Sequence, residues 1–149
     1  MTQTTAPAFD SVIAQAGQLV DMTDHDVDSF AAEETIPFGR AMKRGTDPEK
    51  QVLIVDGSGD TFLGVSMLQH TVENPFPSGE AQFAIGDTVS VMTEGRVYVE
   101  VTDPVIAGAA AFVDVANGKF TDVSSGNLAV PGGTFLTSAA DNGIAALKF

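Results

Sequence analysis

Apolar and polar residues alternate most clearly in residues 85–105, which read IGDTVSVMTEGRVYVEVTDPV. Valines occupy alternate positions on both sides of a short polar segment, at Val89, Val91, Val97, Val99 and Val101. A period of two residues is typical of a strand with one buried face. The pattern therefore predicts two half-buried strands that are adjacent along the chain.

The segment between these strands predicts how they would pair. A three-residue turn at residues 93–95 sets Val91 opposite Val97, whereas a two-residue turn would mix the apolar and polar faces. The same turn places Gly95 last, where a type I turn with a G1 bulge needs a left-handed residue. We therefore predict a β-hairpin. Its outer face, either solvated or in contact with another chain, would carry Thr88, Ser90, Met92, Arg96, Tyr98 and Glu100.

Short apolar runs separated by turn residues continue to the C-terminus. Residues 51–55 and 61–68 are predicted strands, and the Gly-rich residues 56–60 between them are predicted to form a hairpin loop. The pair Asn117-Gly118 is a strong hairpin signal. About nine short strands at this spacing are typical of an all-β protein. The sequence therefore predicts either a small β-barrel or a jelly-roll-like sandwich.

Two further turns predict strand registers in the last third of the chain. The turn at Asn117-Gly118 would set Val115 opposite Phe120. A turn at residues 140–143 would set Leu147 opposite Leu136, so that the chain ends in a paired strand. Both registers place apolar side chains opposite each other, as the core face of an antiparallel pair requires.

Residues 1–34 have a different character from the rest of the chain. They are polar, and residues 10–34 hold seven acidic residues and no Lys or Arg. Such a segment buries too little apolar surface to order itself alone. We therefore predict an extended acidic N-terminal arm at 1–34 and a β-barrel domain at 35–149. Residues 11–20 are expected to be extended rather than helical.

The role of this arm is open between two hypotheses. In the first, the arm reaches onto a neighbouring protein, and its acidic side chains face a basic surface there. In the second, Leu19, Val20 and Phe30 pack on the barrel as an extra edge strand. Leu19 and Phe30 are also candidate protein-contact residues.

The net charge of −13 disfavours nucleic acid and anionic membranes as partners, because both would be repelled. No run of 18 apolar residues is present, so no membrane-spanning helix is predicted. The N-terminus lacks the basic and apolar regions of a signal peptide. We expect a protein that is made in the cytoplasm and leaves it only as part of a larger assembly.

Candidate chemistry is sparse. Asp24, Asp26 and Asp28 alternate as the first ligands of an EF-hand do, but Ser29 and Thr35 stand where that motif needs Gly and Glu. A solvated acidic loop is the favoured interpretation of residues 21–34. With two His, one Tyr and no Cys, no nucleophile–base arrangement can be recognised. We predict no catalytic, cofactor-binding or metal-binding residues, and therefore no enzyme.

Protein contacts are predicted at two further places. Phe76 lies between Pro75 and Pro77 in a long loop, residues 69–82, which is either an interaction loop or a lid on its own core. Arg96 and Tyr98 lie on the outer face of the predicted hairpin, and both residue types are enriched in interface hot spots. The candidate protein-contact residues are thus Phe76, Arg96, Tyr98, Leu19 and Phe30.

Several short stretches, in order, resemble those of one protein family. They are IPFGRA at 36–41, FLGV at 62–65, GDTVSV at 86–91, GRVYV at 95–99, GKFT at 118–121, TFLTS at 134–138 and the ending at 143–147. Over about residues 17–149 the chain resembles the structural cement proteins of tailed bacteriophages, which decorate and reinforce the capsid. Each stretch alone describes only a turn and a strand, and their order makes the resemblance specific.

The resemblance implies a non-enzymatic protein without cofactors in the virion, made in the host cytoplasm. It would lie on the outer surface of the capsid, at junctions between major capsid proteins. Its other partner would be copies of itself, most simply in a dimer, with a trimer as the alternative. Two other functions stay open: a carbohydrate- or host-surface-binding module, which the lack of Trp disfavours, and another head or tail component.

Overall fold

The computed structural model describes residues 15–69 and 82–149, and within these ranges the protein is all-β and contains no helix. The all-β prediction is thus confirmed. The described residues form twelve strands: β1 Asp26–Ala32, β2 Ile36–Pro37, β3 Ala41–Arg44, β4 Gln51–Ile54, β5 Gly64–Ser66, β6 Gln82–Phe83, β7 Thr88–Glu94, β8 Arg96–Glu100, β9 Ala110–Asp114, β10 Lys119–Thr121, β11 Leu128–Phe135 and β12 Ile144–Lys148.

The first half of the chain forms a closed barrel with strand order β1-β4-β3-β5-β7. Strand β1 closes it, because β1 pairs with β4 in parallel and with β7 in antiparallel orientation. The two-stranded sheet of β2 and β6 adds Ile36 and Phe83 to the same interior. The barrel core consists of Phe30, Ala32, Ile36, Met42, Val52, Phe83, Val89 and Val91. The small-barrel prediction is confirmed by this closed sheet.

The second half of the chain forms a five-stranded sheet with strand order β10-β9-β11-β12-β8. The two outer strands approach each other where Val101 forms a parallel bridge with Phe120. The curved sheet encloses a second apolar core, which includes Val97, Val99, Val101, Val113, Phe120, Phe135, Ala145 and Leu147. The chain therefore builds two cores, one inside each sheet.

The predicted hairpin of β7 and β8 is wrong, because these strands belong to different sheets. Strand β7 pairs with β1 and β5, whereas β8 pairs with β12. Between them Gly95 has a φ of 138°, a conformation that favours glycine. Its N–H and C=O bond to Phe149 at 3.0 and 3.1 Å. Alternation correctly predicted which valines are buried, but not the strand that each one faces.

Met92 was predicted on the outer face, and this prediction is also wrong. Its side chain is fully buried with Ala41, Val55 and Val65, which pack against the core of the second sheet. We call these four residues the junction. Gly64 allows β5 to lie close to β7 there, because a Cβ at this position would overlap the Met92 carbonyl oxygen. The junction joins the outside of the barrel to the second sheet.

Three local predictions for turns and registers are corrected. Strands β9 and β10 form the hairpin predicted at Asn117-Gly118, but Phe120 lies opposite Val113 rather than Val115. Leu147 lies opposite Phe135 rather than Leu136. Residues 56–60 are not a hairpin loop, since β3 lies between β4 and β5. The first error is a shift of two residues, which keeps every side chain on its predicted face.

The described part of the predicted arm belongs to the fold. Residues 26–32, predicted as a solvated acidic loop, form β1 between β4 and β7, so the predicted boundary at residue 34 falls within the barrel. Phe30 is only 8% exposed, in the barrel core. No helix forms in residues 15–20: residues 15–18 make a turn with Gly17 at a φ of 85°, and Leu19 forms a bridge with Val97. Strand β1 lies inside a closed sheet and is not an edge strand.

Because Phe30 fills the barrel core, we expect Phe30→Ala to lower the free energy of unfolding by about 3–5 kcal/mol. Val27→Ala, on the same strand at a 41% exposed position, is the matched control and should cost well under 1 kcal/mol. Urea unfolding followed by circular dichroism measures both changes. Equal, small effects of the two substitutions would contradict a structural role for β1.

Candidate functional site

The structure brings together three of the five predicted contact residues. Leu19, Arg96 and Tyr98 lie along β8, where Leu19 is partly buried against the second core. Phe30 is separate from them, and its burial leaves it little surface to offer a partner. Phe76 lies outside the described residues.

Strand β8 exposes one face through Arg96, Tyr98 and Glu100, which we call the β8 face. All three side chains are half-buried, in alternation with the buried Val97 and Val99. Arg96 Nη1 lies 3.2 Å from Asp21 Oδ2. Hydrogen bonds from the hydroxyl and backbone N–H of Thr23, and then the Arg96 charge, lower the pKa of Asp21.

An ion pair also holds the other end of the β8 face, where Lys119 Nζ lies 2.9 Å from Glu100 Oε1. Tyr98 is therefore the residue of this face that stands between two charged pairs. Its neighbour across the sheet is Ala146 of β12, which is buried. A half-buried tyrosine with a polar surround can serve as an anchor for a partner protein.

The backbone of β8 is occupied on both edges. On one edge β8 pairs with β12. On the other edge, the Gly17 N–H donates to the Tyr98 carbonyl at 2.7 Å, and the Tyr98 N–H donates to the Gln18 carbonyl at 2.9 Å. A partner that docks on the β8 face would therefore be bound by side chains and not by strand addition.

A second cluster joins β3 to the loop after β4. Lys43 Nζ donates to Asp56 Oδ1 and, at 3.1 Å, to Asp60 Oδ2. The cluster borders a cleft of about 460 Å³ that is lined by Lys43, Arg44, Gly59, Asp60, Thr61, Phe62 and Leu63. Arg44 lies 5.7 Å from the ring centre of Phe30. Lys43 and Arg44, two of the three basic residues between positions 43 and 50, thus have contact partners within the fold.

The electrostatics of this cluster indicate a structural role. The hydrogen bond to Asp56 raises the pKa of Lys43, which keeps the amine protonated and unsuited to act as a base. Burial alone would raise the pKa of Asp60, but hydrogen bonds from the Asp56 and Gly57 N–H groups and from Lys43 lower it overall. The cluster fixes the loop at residues 56–60 on β3.

The acidic residues at positions 21–34, all of which the structure describes, do not gather into a metal site. Within residues 15–69 and 82–149, no group of three or more His, Asp or Glu side chains is placed to hold a metal ion. Glu33 accepts a hydrogen bond from the Thr46 N–H at 2.8 Å. Residues 15–69 and 82–149 also include no helix that is long and apolar enough to cross a membrane.

Two exposed isoleucines were missed as contact candidates. Ile85 and Ile106 are each 72% exposed, at a loop before β7 and at a loop before β9. Single apolar residues in turns do not stand out in an apolar–polar pattern. The sequence feature that could have indicated a contact at Ile106 is the lack of any charged residue from Pro104 to Val113.

The fold and these surfaces define a small all-β protein of two packed sheets. The sequence model of one family, described as the structural cement protein (E217 gp24/Pam3 gp6), matches residues 3–149. The chain belongs to this family of phage structural cement proteins. The resemblance recognised in the sequence is confirmed, and family membership assigns the protein a structural, capsid-associated role in the virion.

Two solved structures are similar to this chain. One, from the capsid of Myoviridae phage XM1, has a TM-score of 0.72 and 23% identity, and the match covers 90% of this chain and 88% of that chain. At this identity it shows a shared fold. The head fibre gp8.5 N base of phage phi29 has a TM-score of 0.47 and 14% identity over 85% of this chain and 94% of that chain, too distant to carry an argument. No curated protein sequence matches.

The lowered pKa of Asp60 predicts pH-dependent stability. A carboxylate whose pKa falls on folding stabilises the fold above its ordinary pKa, near 4, and loses this effect as pH falls through the folded-state value. At pH 7 we expect Asp60→Asn to lower the free energy of unfolding by about 1–2 kcal/mol, with the difference shrinking towards pH 3.

Asp56→Asn is the matched control, because the Asp56 side chain is 76% exposed and should contribute less. Urea unfolding at both pH values measures the two differences from the wild-type protein. If the cost of Asp60→Asn were the same at pH 3 as at pH 7, the charged form of Asp60 would not be the stabilising one.

Proposed function

We propose that this protein binds the outer surface of an assembled phage capsid and bridges neighbouring copies of the major capsid protein. It acts without catalysis, and it does so as a homo-oligomer, most simply a dimer. The observation that carries this proposal is the family match over residues 3–149, which includes the barrel and the second sheet together. Synthesis in the host cytoplasm follows from where phage capsids are assembled.

The charge of the chain supports an outer location. Packaged DNA presents a dense array of phosphates, and a chain of net charge −13 would be repelled by it. On the outside, the same charge meets only the capsid protein and solvent. Acidic residues on the barrel would then face basic residues of the lattice.

The architecture supports a bridging role. Binding to two or more neighbouring capsid subunits turns several weak contacts into strong attachment, provided that the spacing of the contacts is fixed. The junction packs Met92, Val65 and Val55 into one core with the second sheet. This packing would hold contacts on the barrel and on the second sheet at a constant separation.

We place a capsid contact on the β8 face, centred on Tyr98 and Arg96. Leu19 would contribute indirectly, because it helps to hold residues 17–20 against β8. Phe76 remains a second proposed contact. Phe30 contributes to the proposal only through the stability of the barrel.

The central prediction is that the protein binds assembled capsids and does not bind the free major capsid subunit, because only the lattice offers several contacts at once. Purified protein is mixed with expanded capsids or with unassembled subunit, and binding is measured by sedimentation and by a pull-down. Equal affinity for both would contradict bridging. Raising the salt concentration should weaken binding, because it screens the acidic surface.

A second prediction concerns Tyr98. We expect Tyr98→Ala to weaken capsid binding by at least about tenfold, the lower range of hot-spot effects. Tyr98→Phe is the matched control, since it keeps the ring and should keep most of the binding. Thermal unfolding of both variants separates lost contact from lost stability. Unchanged capsid binding by a folded Tyr98→Ala variant would assign the β8 face to solvent.

A further inference from the structure

The two halves of the described chain differ strongly in charge. Residues 15–69 and 82–94, which include all the strands of the barrel, carry twelve acidic and four basic residues, whereas residues 95–149 carry five and three. Two copies that approached through their barrels would bring like charges together. Two copies that approached through the second sheet would bring far fewer like charges together.

Two neighbouring stretches of the second sheet contain no charged residue. The sequence has no charged residue from Pro104 to Val113 or from Val123 to Ala140. Strand pairing brings these two stretches side by side, since Ala110 lies opposite Thr134 and Ala129 opposite Phe112. We call the exposed surface of these two stretches the uncharged face, and its residues include Ile106, Ala107, Ala110, Ala129, Pro131 and Gly132.

Hydrogen bonds hold the loop before β9 firmly in this surface. Val105 forms a bridge with Ala139, and the Ala107 N–H donates to Ser138 Oγ at 3.0 Å. The Gly108 N–H donates to the Phe135 carbonyl at 2.7 Å. Ile106 is therefore an exposed apolar side chain on a fixed backbone, which loses little conformational entropy when a partner covers it.

The residues of the uncharged face are small, and charged residues border it. Alanine, glycine and proline allow another backbone surface to approach closely. Asp103 and Asp114 border the face along the chain, and Lys148 lies opposite Thr134 across β11 and β12. An apolar centre with a charged rim of both signs is the usual anatomy of a protein–protein interface.

We infer that two copies of this chain pair through the uncharged face. A twofold interface presents the same patch from both copies, so a surface without charge can face itself at no electrostatic cost. The acidic barrel would instead be directed away from the partner copy and left for other contacts. This inference rests on the homo-oligomer of the proposed function and names the surface that forms it.

The test compares the two isoleucines that are each 72% exposed. Ile106→Asp places a charge in the uncharged face, where a twofold interface would bring two such charges together. Ile85→Asp makes the same change beside the barrel and is the matched control. Sedimentation velocity over a series of protein concentrations measures self-association, and thermal unfolding confirms that both variants fold.

We expect the wild-type protein and Ile85→Asp to dimerise alike and Ile106→Asp to associate at least about tenfold more weakly. A wild-type dimer that Ile106→Asp leaves intact would overturn the proposed face, while the proposed dimer would stand. A wild-type protein that is monomeric throughout would overturn both. Sedimentation with capsids tests the proposed capsid binding separately.

Discussion

The structure depends on the burial of the barrel's outer surface against the second sheet. Neither half of the chain buries all of its apolar residues alone. Met92, Val65, Val55 and Ala41 lie on the outside of the barrel, and they are buried because the second sheet covers them. Gly64 permits the close approach of β5 and β7 that this packing needs. The two sheets therefore pack as one unit, as the bridging role that we propose would require.

The chain passes from one sheet to the other at Gly95. Pairing of Gly95 with Phe149 ties this crossing point to the C-terminus. The N-terminal segment makes a second connection, because residues 17–20 pair with β8 before the chain enters the barrel at β1. Both ends of the described chain thus stabilise the same strand, and β8 is left with only side chains to offer a partner.

Charge is distributed in a way that matches this architecture. The acidic residues are concentrated on the barrel, where local pairs such as Lys43 with Asp60 neutralise only a few of them. The second sheet carries the uncharged face. In the arrangement that we propose, one half contacts another copy and the other half, with the β8 face, contacts the capsid.

The sequence by itself determined which valines are buried and the position of one tight turn. The valines of β7 and β8 are all buried, and the turn at Asn117-Gly118 forms a hairpin, because a period of two and the backbone of Asn-Gly are local properties. The motif order also identified the family. Candidate contacts were only partly predictable: Arg96, Tyr98 and Leu19 do lie together, but Ile106 was recognised from its exposure in the structure.

Only the tertiary structure decided which strands pair. A strand in which apolar and polar residues alternate can pack its apolar face against any apolar surface. Strands that are neighbours in the sequence therefore need not be neighbours in space. The valines of β7 and β8 face different cores for this reason. The acidic composition of residues 26–32 likewise concealed a strand, because Phe30 and Ala32 face the core while Asp26 and Asp28 remain at the solvent-exposed end of β1. Strand pairing depends on residues that are distant in the sequence, so the composition of one segment cannot predict which strand it will pair with.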